Sequence, residues 1–369
     1  MNENISSEKK ITTFDKSFWI YMIAFFLIIG VICFFPYWFT RFSLFSFDFT
    51  ETGQIGDTIG GIMTPFIAIA AAGLTFLAFW VQYKANEQQR QDIAKERFES
   101  KFYEFLRMHR QNIEGAKIED IEQREVFQEF SQEFVLCIEI INNVFDTKQK
   151  TDSNNSFYNE FSILKRINLA YLIFFYGYKN IYSFTFEQLG IKNTEEWYKI
   201  YGELYDRFNE ISSYWIKDVV SISIMHTSFM KHEGQSKLNK TLHSYYRPFS
   251  GQSQLLGHYY RNMYQTVKYI HEQSEKFLPY EKKYDYVKIL RAQLSDYEQI
   301  LFYYNSLSVL GYDWIDGGKD SLLVQYKMIK NIPLSLVVGL KPNVLFQHFE
   351  MSEQEIELYF EPKNKLLDF

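Results

Sequence analysis

The sequence predicts an all-α protein, with an N-terminal two-helix transmembrane hairpin followed by a large helical cytosolic domain. Three observations carry this. Two uncharged apolar runs, residues 18–39 and 59–80, stand near the N-terminus. Glycine and proline are scarce, 17 and 7 among 369 residues, so few positions break a helix. After the runs, apolar residues recur at steps of three and four, the period of one helix face.

Each run has about 22 residues and as a helix would rise about 33 Å, enough for a hydrocarbon core of about 30 Å. A helix also satisfies its own backbone in lipid. Lys9, Lys10 and Lys16 precede the first run, and Lys84, Arg90, Lys95, Arg97, Lys101, Arg107 and Arg110 follow the second. The segment between them sets Arg41 against Asp48, Glu51 and Asp57. The positive-inside rule then puts both termini and the main domain in the cytoplasm. A cleavable signal peptide is the alternative for the first run, but the run is long for one and no small-residue cleavage site follows it. Trp19, Tyr21, Tyr37, Trp38 and Trp80 sit near the run ends, where amphipathic rings favour the headgroup region.

Gly56, Gly60 and Gly61 form a small-residue surface at the mouth of the second run. It reads either as a helix–helix contact, within the hairpin or between protomers, or as ordinary entry-loop composition. Pro65 either kinks the second span or sits in its first turns. A pump or proton relay needs intramembrane charge, and neither run has any. An oligomeric pore lined by Thr64 and Thr75 stays open.

The expected organisation is a tail (1–17), the hairpin (18–80), a juxtamembrane stalk helix (81–115) and the helical domain (116–369). The stalk carries a stripe of Phe98, Phe102, Phe105, Leu106 and Met108. Asp120 to Phe145 reads as a helix, and TKQKTDSNNS (147–156) as a linker. Phe157 to Ile181 is an apolar helix too short in its uncharged part to span a membrane. Thr194 to Met225 reads as a helix with Thr194 as cap. In SQLLGHYYRNMYQTVKYIHEQ, Leu256, Tyr260, Met263, Val267 and Ile270 recur at steps of four and three. In YDYVKILRAQLSDYEQILFYYNSLSVLG, Val287, Leu290, Leu294, Tyr297, Leu301 and Tyr304 do the same. These two segments are expected to pair as an antiparallel hairpin around Pro279, with Gly311 ending the second. PLSLVVG (333–339) is a candidate strand or buried turn, and 354–359 a short helix.

Net charge is −6, so no global basic field invites nucleic acid, which is not indicated as a partner. Aromatics reach 19%, a level that fits half-buried tyrosines on helix faces better than a stacking surface. Cys33 and Cys137 are isolated, so neither a disulfide framework nor a thiolate metal site follows.

Chemistry-bearing residues cluster in the two periodic segments. His258, Arg261, Tyr264 and Gln265 flank one apolar strip. Arg291, Ser295, Glu298 and Asn305 follow at steps of four, three and seven, on one side of a continuous helix. Two readings stand. One is a cleft in which Arg261 and Arg291 bind a phosphate or carboxylate, with His258 and Glu298 as acid/base groups. The other is a buried network that fixes helix register. The spacing of His226, His232 and His243 suits a metal poorly, so no metal and no cofactor are expected. Gly317-Gly318-Lys319 matches the end of a phosphate loop, but Asp313 stands where its first glycine is needed, so a tight turn, DGGKD (316–320), is the better reading. No arginine is followed by a histidine after four to six residues, and neither GxSxG nor HExxH occurs, so no catalytic residue is assigned.

The two runs, FESKFYEFLRMHRQNI, LGHYYRNMYQTVKYI and ILRAQLSDYEQILFYYNSLS together resemble the putative phage abortive infection protein family, an AbiC-like group of membrane proteins. His258, Tyr259, Arg261, Tyr264, Arg291, Gln293, Leu294, Ser295, Glu298 and Asn305 occupy matching positions. The resemblance implies bacterial antiphage defence, in which an infected cell stops growing or dies before phage matures; with the two runs it gives an inner-membrane protein whose phage-derived trigger the sequence does not identify. On that reading the helical body senses infection and the spans carry out the response. The lipid bilayer is then a partner, and the small-residue surface suits a homo-oligomer. A membrane-tethered enzyme acting on nucleotide or nucleic acid, and a non-enzymatic adaptor recruiting a defence partner, are the alternatives.

Overall fold

The computed structural model describes residues 23–27, 29–31, 34, 52–152, 157–158, 161–180, 189–191, 194–213, 220–223, 239–242 and 246–360. The chain is mostly helical, as expected, and divides into two compact units, Met1–Phe98 and Glu99–Phe369.

Helix α1 (Thr52–Glu114), which belongs to the first unit as far as Phe98, begins seven residues before the expected second span and contains Pro65. It is long and apolar enough to cross a membrane. Ile67, Ile69, Phe76 and Phe79 are exposed along it, a contiguous apolar surface that water would penalise. The hydroxyls of Thr64 and Thr75 donate to the carbonyls of Gly60 and Ala71, 2.6 and 2.8 Å away, so each is satisfied on its own helix. Gly56, Gly60 and Gly61 are exposed, and a Cβ at any of them would meet nothing within 4 Å. Of the first apolar run, residues 23–27, 29–31 and 34 are helical; the rest of it lies outside the described residues. A two-helix transmembrane hairpin is therefore not shown, only one long apolar helix.

The second unit is built around helix α2 (Arg124–Thr151), whose Phe127, Phe130, Phe134, Cys137, Ile138 and Ile141 all point inward as their spacing predicts. A two-stranded ribbon, β1 (Lys117–Ile118) with β2 (Ile121–Glu122), precedes it and displaces the expected helix start. Helices α3 (Ile163–Tyr176) and α4 (Thr194–Ser213) pack on α2. Buried Arg166 ties α3 to α2 by an ion pair with Asp146 at 2.7 Å, and also donates to the Phe161 carbonyl just before α3 at 3.2 Å. The helix expected to reach Met225 stops earlier: Val220–Ser223 is a strand, β3, antiparallel to β4 (Asn239–Leu242). Alternating β-branched VSIS favours that state over helix. The candidate linker is partly wrong too, because 147–151 continue α2; residues 153–156 lie outside the described residues.

Helices α5 (Ser253–His271) and α6 (Tyr280–Arg291) pack together with Pro279 just before α6, as expected. The second periodic segment, however, is two helices. After α6 the chain turns, and α7 (Asp296–Leu307) starts afresh. Ser295 is its N-cap, in a reciprocal capping box with Glu298. Helix α7 packs on both α2 and α3. Phe134 meets the rings of Tyr304, Tyr171 and Phe174 at centroid separations of 4.4, 5.6 and 5.6 Å, an aromatic core shared by the three helices. Residues 333–339 form turns, not a strand, and DGGKD is a tight turn with Gly317 left-handed at φ 89°. Short helices α8 (Leu322–Gln325), α9 (Pro342–His348) and α10 (Glu353–Phe360) close the unit.

Candidate functional site

The start of α5 lies against the end of α3. The Gln252 amide donates to the carbonyls of Phe174 and Phe175, 3.2 and 2.9 Å away, and so caps α3. The chains cross where both carry glycine: a Cβ on Gly177 would stand 2.6 Å from the Ser250 carbonyl oxygen, and one on Gly251 2.6 Å from Tyr176 backbone. This crossing places Phe175 and Tyr176 beside one face of α5, where Gly257, Tyr260, Arg261 and Tyr264 follow at i, i+3, i+4 and i+7.

Between them lies a pocket of about 270 Å³, closed by Asn305 of α7 and by Leu310, Gly311, Asp313 and Trp314 beyond it. Trp314 is buried, its ring 4.8 Å from Phe302 and 5.4 Å from Tyr264, both edge to face. Gly311 is required by close approach, since a Cβ there would stand 2.3 Å from the Asn305 carbonyl oxygen. Gly257 is different. A Cβ there would make ordinary contact with Phe175 at 3.7 Å, so packing does not demand glycine. Glycine inside a helix costs about 1 kcal/mol against alanine, and here what it provides is open space in the pocket wall.

The polar groups of this lining are engaged to different degrees, Tyr264 and Asp313 being paired with one another. The hydroxyls of Tyr171 and Tyr260 are neighbours, buried near Asn305, yet neither makes a hydrogen bond of good geometry. Burial, then Tyr171, pushes the Tyr260 phenol well above its ordinary pKa. The Tyr264 phenol is raised by burial and next by the adjacent Asp313 carboxylate. Arg261 is exposed and has no ion-pair or hydrogen-bond partner among the described residues; it is the one cation of the lining and Asp313 the one anion.

Of the expected polar cleft, Arg261, Tyr264 and Asn305 come together here. His258 is exposed on α5, and neither it nor Gln265 lines the pocket. Arg291, Ser295 and Glu298 are elsewhere, because the helix break turns them away. The Arg291 guanidinium is buried and donates to the carbonyls of Tyr326 and Lys327 at 3.2 and 2.9 Å. The Glu298 carboxylate is fully buried, accepting from the Tyr259 hydroxyl at 2.9 Å and the Ser295 amide at 2.7 Å, with Arg124 at 3.8 Å.

Among the buried ionisable residues that the sequence reading does not single out are His109 and Glu133. Met108, expected inward, is exposed, and His109 takes the inward position, in step with buried Phe102, Leu106 and Ile113. Its ring lies 5.0 Å from that of Tyr259, both ring nitrogens lack partners, and desolvation, then Arg124, lowers its pKa to about 4. Glu133 of α2 accepts from the Tyr246 hydroxyl, the Phe249 amide (2.6 Å) and the Gln252 amide group (3.0 Å). Desolvation nonetheless raises its pKa to about 7. The cluster anchors the approach to α5 and thus the pocket's position. No group of metal-ligating residues occurs among the described residues; His226, His232 and His243 lie outside them.

Residues 251–336 match the family model described as "putative phage abortive infection protein". The match bears out the expected resemblance over that segment and supports a role in phage abortive infection. It spans α5 to α8, and every pocket residue except Phe175 and Tyr176 falls within it. No curated protein and no solved structure matches the chain.

Proposed function

We propose that the chain is a membrane-anchored antiphage protein whose helical body senses infection from the cytoplasmic side and whose apolar helices carry out the response. The observation that carries this reading is the family match over 251–336 in a chain that also holds a long, exposed apolar helix. The basic residues on either side of the two runs support cytoplasmic termini. A hairpin is supported by the Phe25 ring, which lies 3.8 Å from where a Cβ on Gly73 would stand. Gly56, Gly60 and Gly61 offer a surface for a second copy of the chain. Permeabilisation of the inner membrane is the simplest response such helices can make.

The test is plating efficiency and survival of infected cells that carry wild type or Ala72→Arg. The substitution puts a charge in the middle of the apolar helix, which disfavours insertion by about 2.5–3.5 kcal/mol. Wild type should reduce plaques while infected cells stop growing, and Ala72→Arg should lose both effects. Full protection by a variant recovered in the soluble fraction would overturn the membrane part.

A further inference from the structure

We propose that the pocket between α3, α5 and Trp314 is a binding site for a nucleoside monophosphate. The inference rests on the sensing role proposed above and names its ligand. Shape comes first: a concave, partly open space of about 270 Å³ admits a nucleobase, with ribose and phosphate toward the exposed Arg261 side. The walls come second. Phe175, Tyr176, Tyr264 and Trp314 present aromatic surface, which suits a planar ring. Third are the polar groups, and they are of two kinds. Arg261 is an unpaired guanidinium at the exposed side, matched in geometry to a phosphate. Asp313, Asn305 and the Tyr260 hydroxyl, which makes no hydrogen bond of good geometry within the protein, supply acceptors and donors for ring N–H and ring nitrogen or carbonyl groups. A nucleobase edge can engage Asp313 and Asn305, groups that a simple aromatic carboxylate does not use, which is why a nucleobase is favoured. Gly257 completes the case, as a helix-interior glycine that packing does not require and whose missing side chain keeps the pocket open.

The experiment uses the full chain purified in detergent, with thermal shift and calorimetry. The probes are AMP, GMP, CMP and UMP, the corresponding nucleosides, inorganic phosphate, and indole-3-acetate as an aromatic carboxylate. At least one nucleoside monophosphate should raise the melting temperature and titrate saturably. Arg261→Gln should weaken that nucleotide at least about tenfold and leave its nucleoside nearly unchanged. Gly257→Met should abolish binding of both while keeping the ligand-free melting temperature, since methionine is a good helix former and adds its bulk to the pocket. The proposal is overturned by no response to any nucleotide at millimolar concentration. It is equally overturned if phosphate or indole-3-acetate binds as tightly as the nucleotides, or if both variants bind like wild type. No nucleotide binding with protection intact would refute the ligand and leave the defence reading standing. Binding in a chain that gives no protection would do the reverse.

Discussion

Helix α5 has two faces, and they treat their polar groups in opposite ways. On one, Tyr259 donates to the fully buried Glu298, which also caps α7 and lies near Arg124. On the other, one residue further along, the Tyr260 hydroxyl makes no hydrogen bond of good geometry and Arg261 stands unpaired beside a pocket. A polar group whose bonds are all made inside the protein stabilises the fold, and removing it leaves its partners stranded. A polar group without a partner at the wall of a cavity adds little to folding and is available to something that enters. Neighbours in sequence can therefore belong to different problems.

The largest expected effect tests the committed face. Glu298→Ala removes the acceptor of Tyr259 and half of the capping box, and should destabilise the chain by about 3–4 kcal/mol in thermal or urea unfolding. Arg291→Ala, which strands two loop carbonyls, should cost about the same. If Glu298→Ala unfolded like wild type, that face would not be holding the fold.

Next is pH. Glu133 has its folded pKa raised to about 7 from 4.5, so the folded chain binds this proton more tightly. Its stabilising effect is complete below about pH 4.5 and is lost as pH rises through 7, on the order of 2–3 kcal/mol. Glu133→Gln should remove that slope. His109 acts in the opposite direction: with its folded pKa lowered to about 4 from 6.5, stability is lost as pH falls from 6.5 toward 4. The two slopes offset one another in wild type, and each single variant should uncover the other. His109→Phe replaces an unpartnered buried imidazole by a ring of similar shape, and should stabilise the chain by about 1 kcal/mol at pH 7.

The smallest effect sharpens the comparison most. Arg261→Gln should change stability by less than about 0.5 kcal/mol, as expected of an exposed residue without partners. A loss of several kcal/mol would mean that Arg261 is structural after all.

The fold was largely legible because its helices are strongly periodic. The stripe from Leu256 to Ile270 is buried along its whole length. The break before α7 was also written in the sequence: Ser295 and Glu298 in LSDYEQ have capping-box spacing, and reading them as one polar face concealed a helix start. Strand Val220–Ser223 was missed because helix-like residues precede it, while β-branched alternation and pairing with Asn239–Leu242 decided the local state. The pocket was half legible. Arg261, Tyr264 and Asn305 were among the candidates, but Tyr260 read as core stripe, and Asp313 and Trp314 lie in a turn whose return to α5 is a tertiary fact. Gly257, a glycine inside a strong helix pattern, was the one local signal that could have pointed there. Glu133 and His109 gave no such signal, because burial of a charge-bearing residue depends on neighbours distant in sequence.

The most direct test links pocket and membrane in one observation: membrane potential, followed with a voltage-sensitive dye, in phage-infected cells carrying wild type or Gly257→Met. Wild type should depolarise before lysis, and Gly257→Met, folded and inserted but with its pocket filled, should hold its potential and lyse. Growth arrest of wild-type cells at intact potential, or depolarisation by Gly257→Met equal to wild type, would contradict a membrane response governed through the pocket.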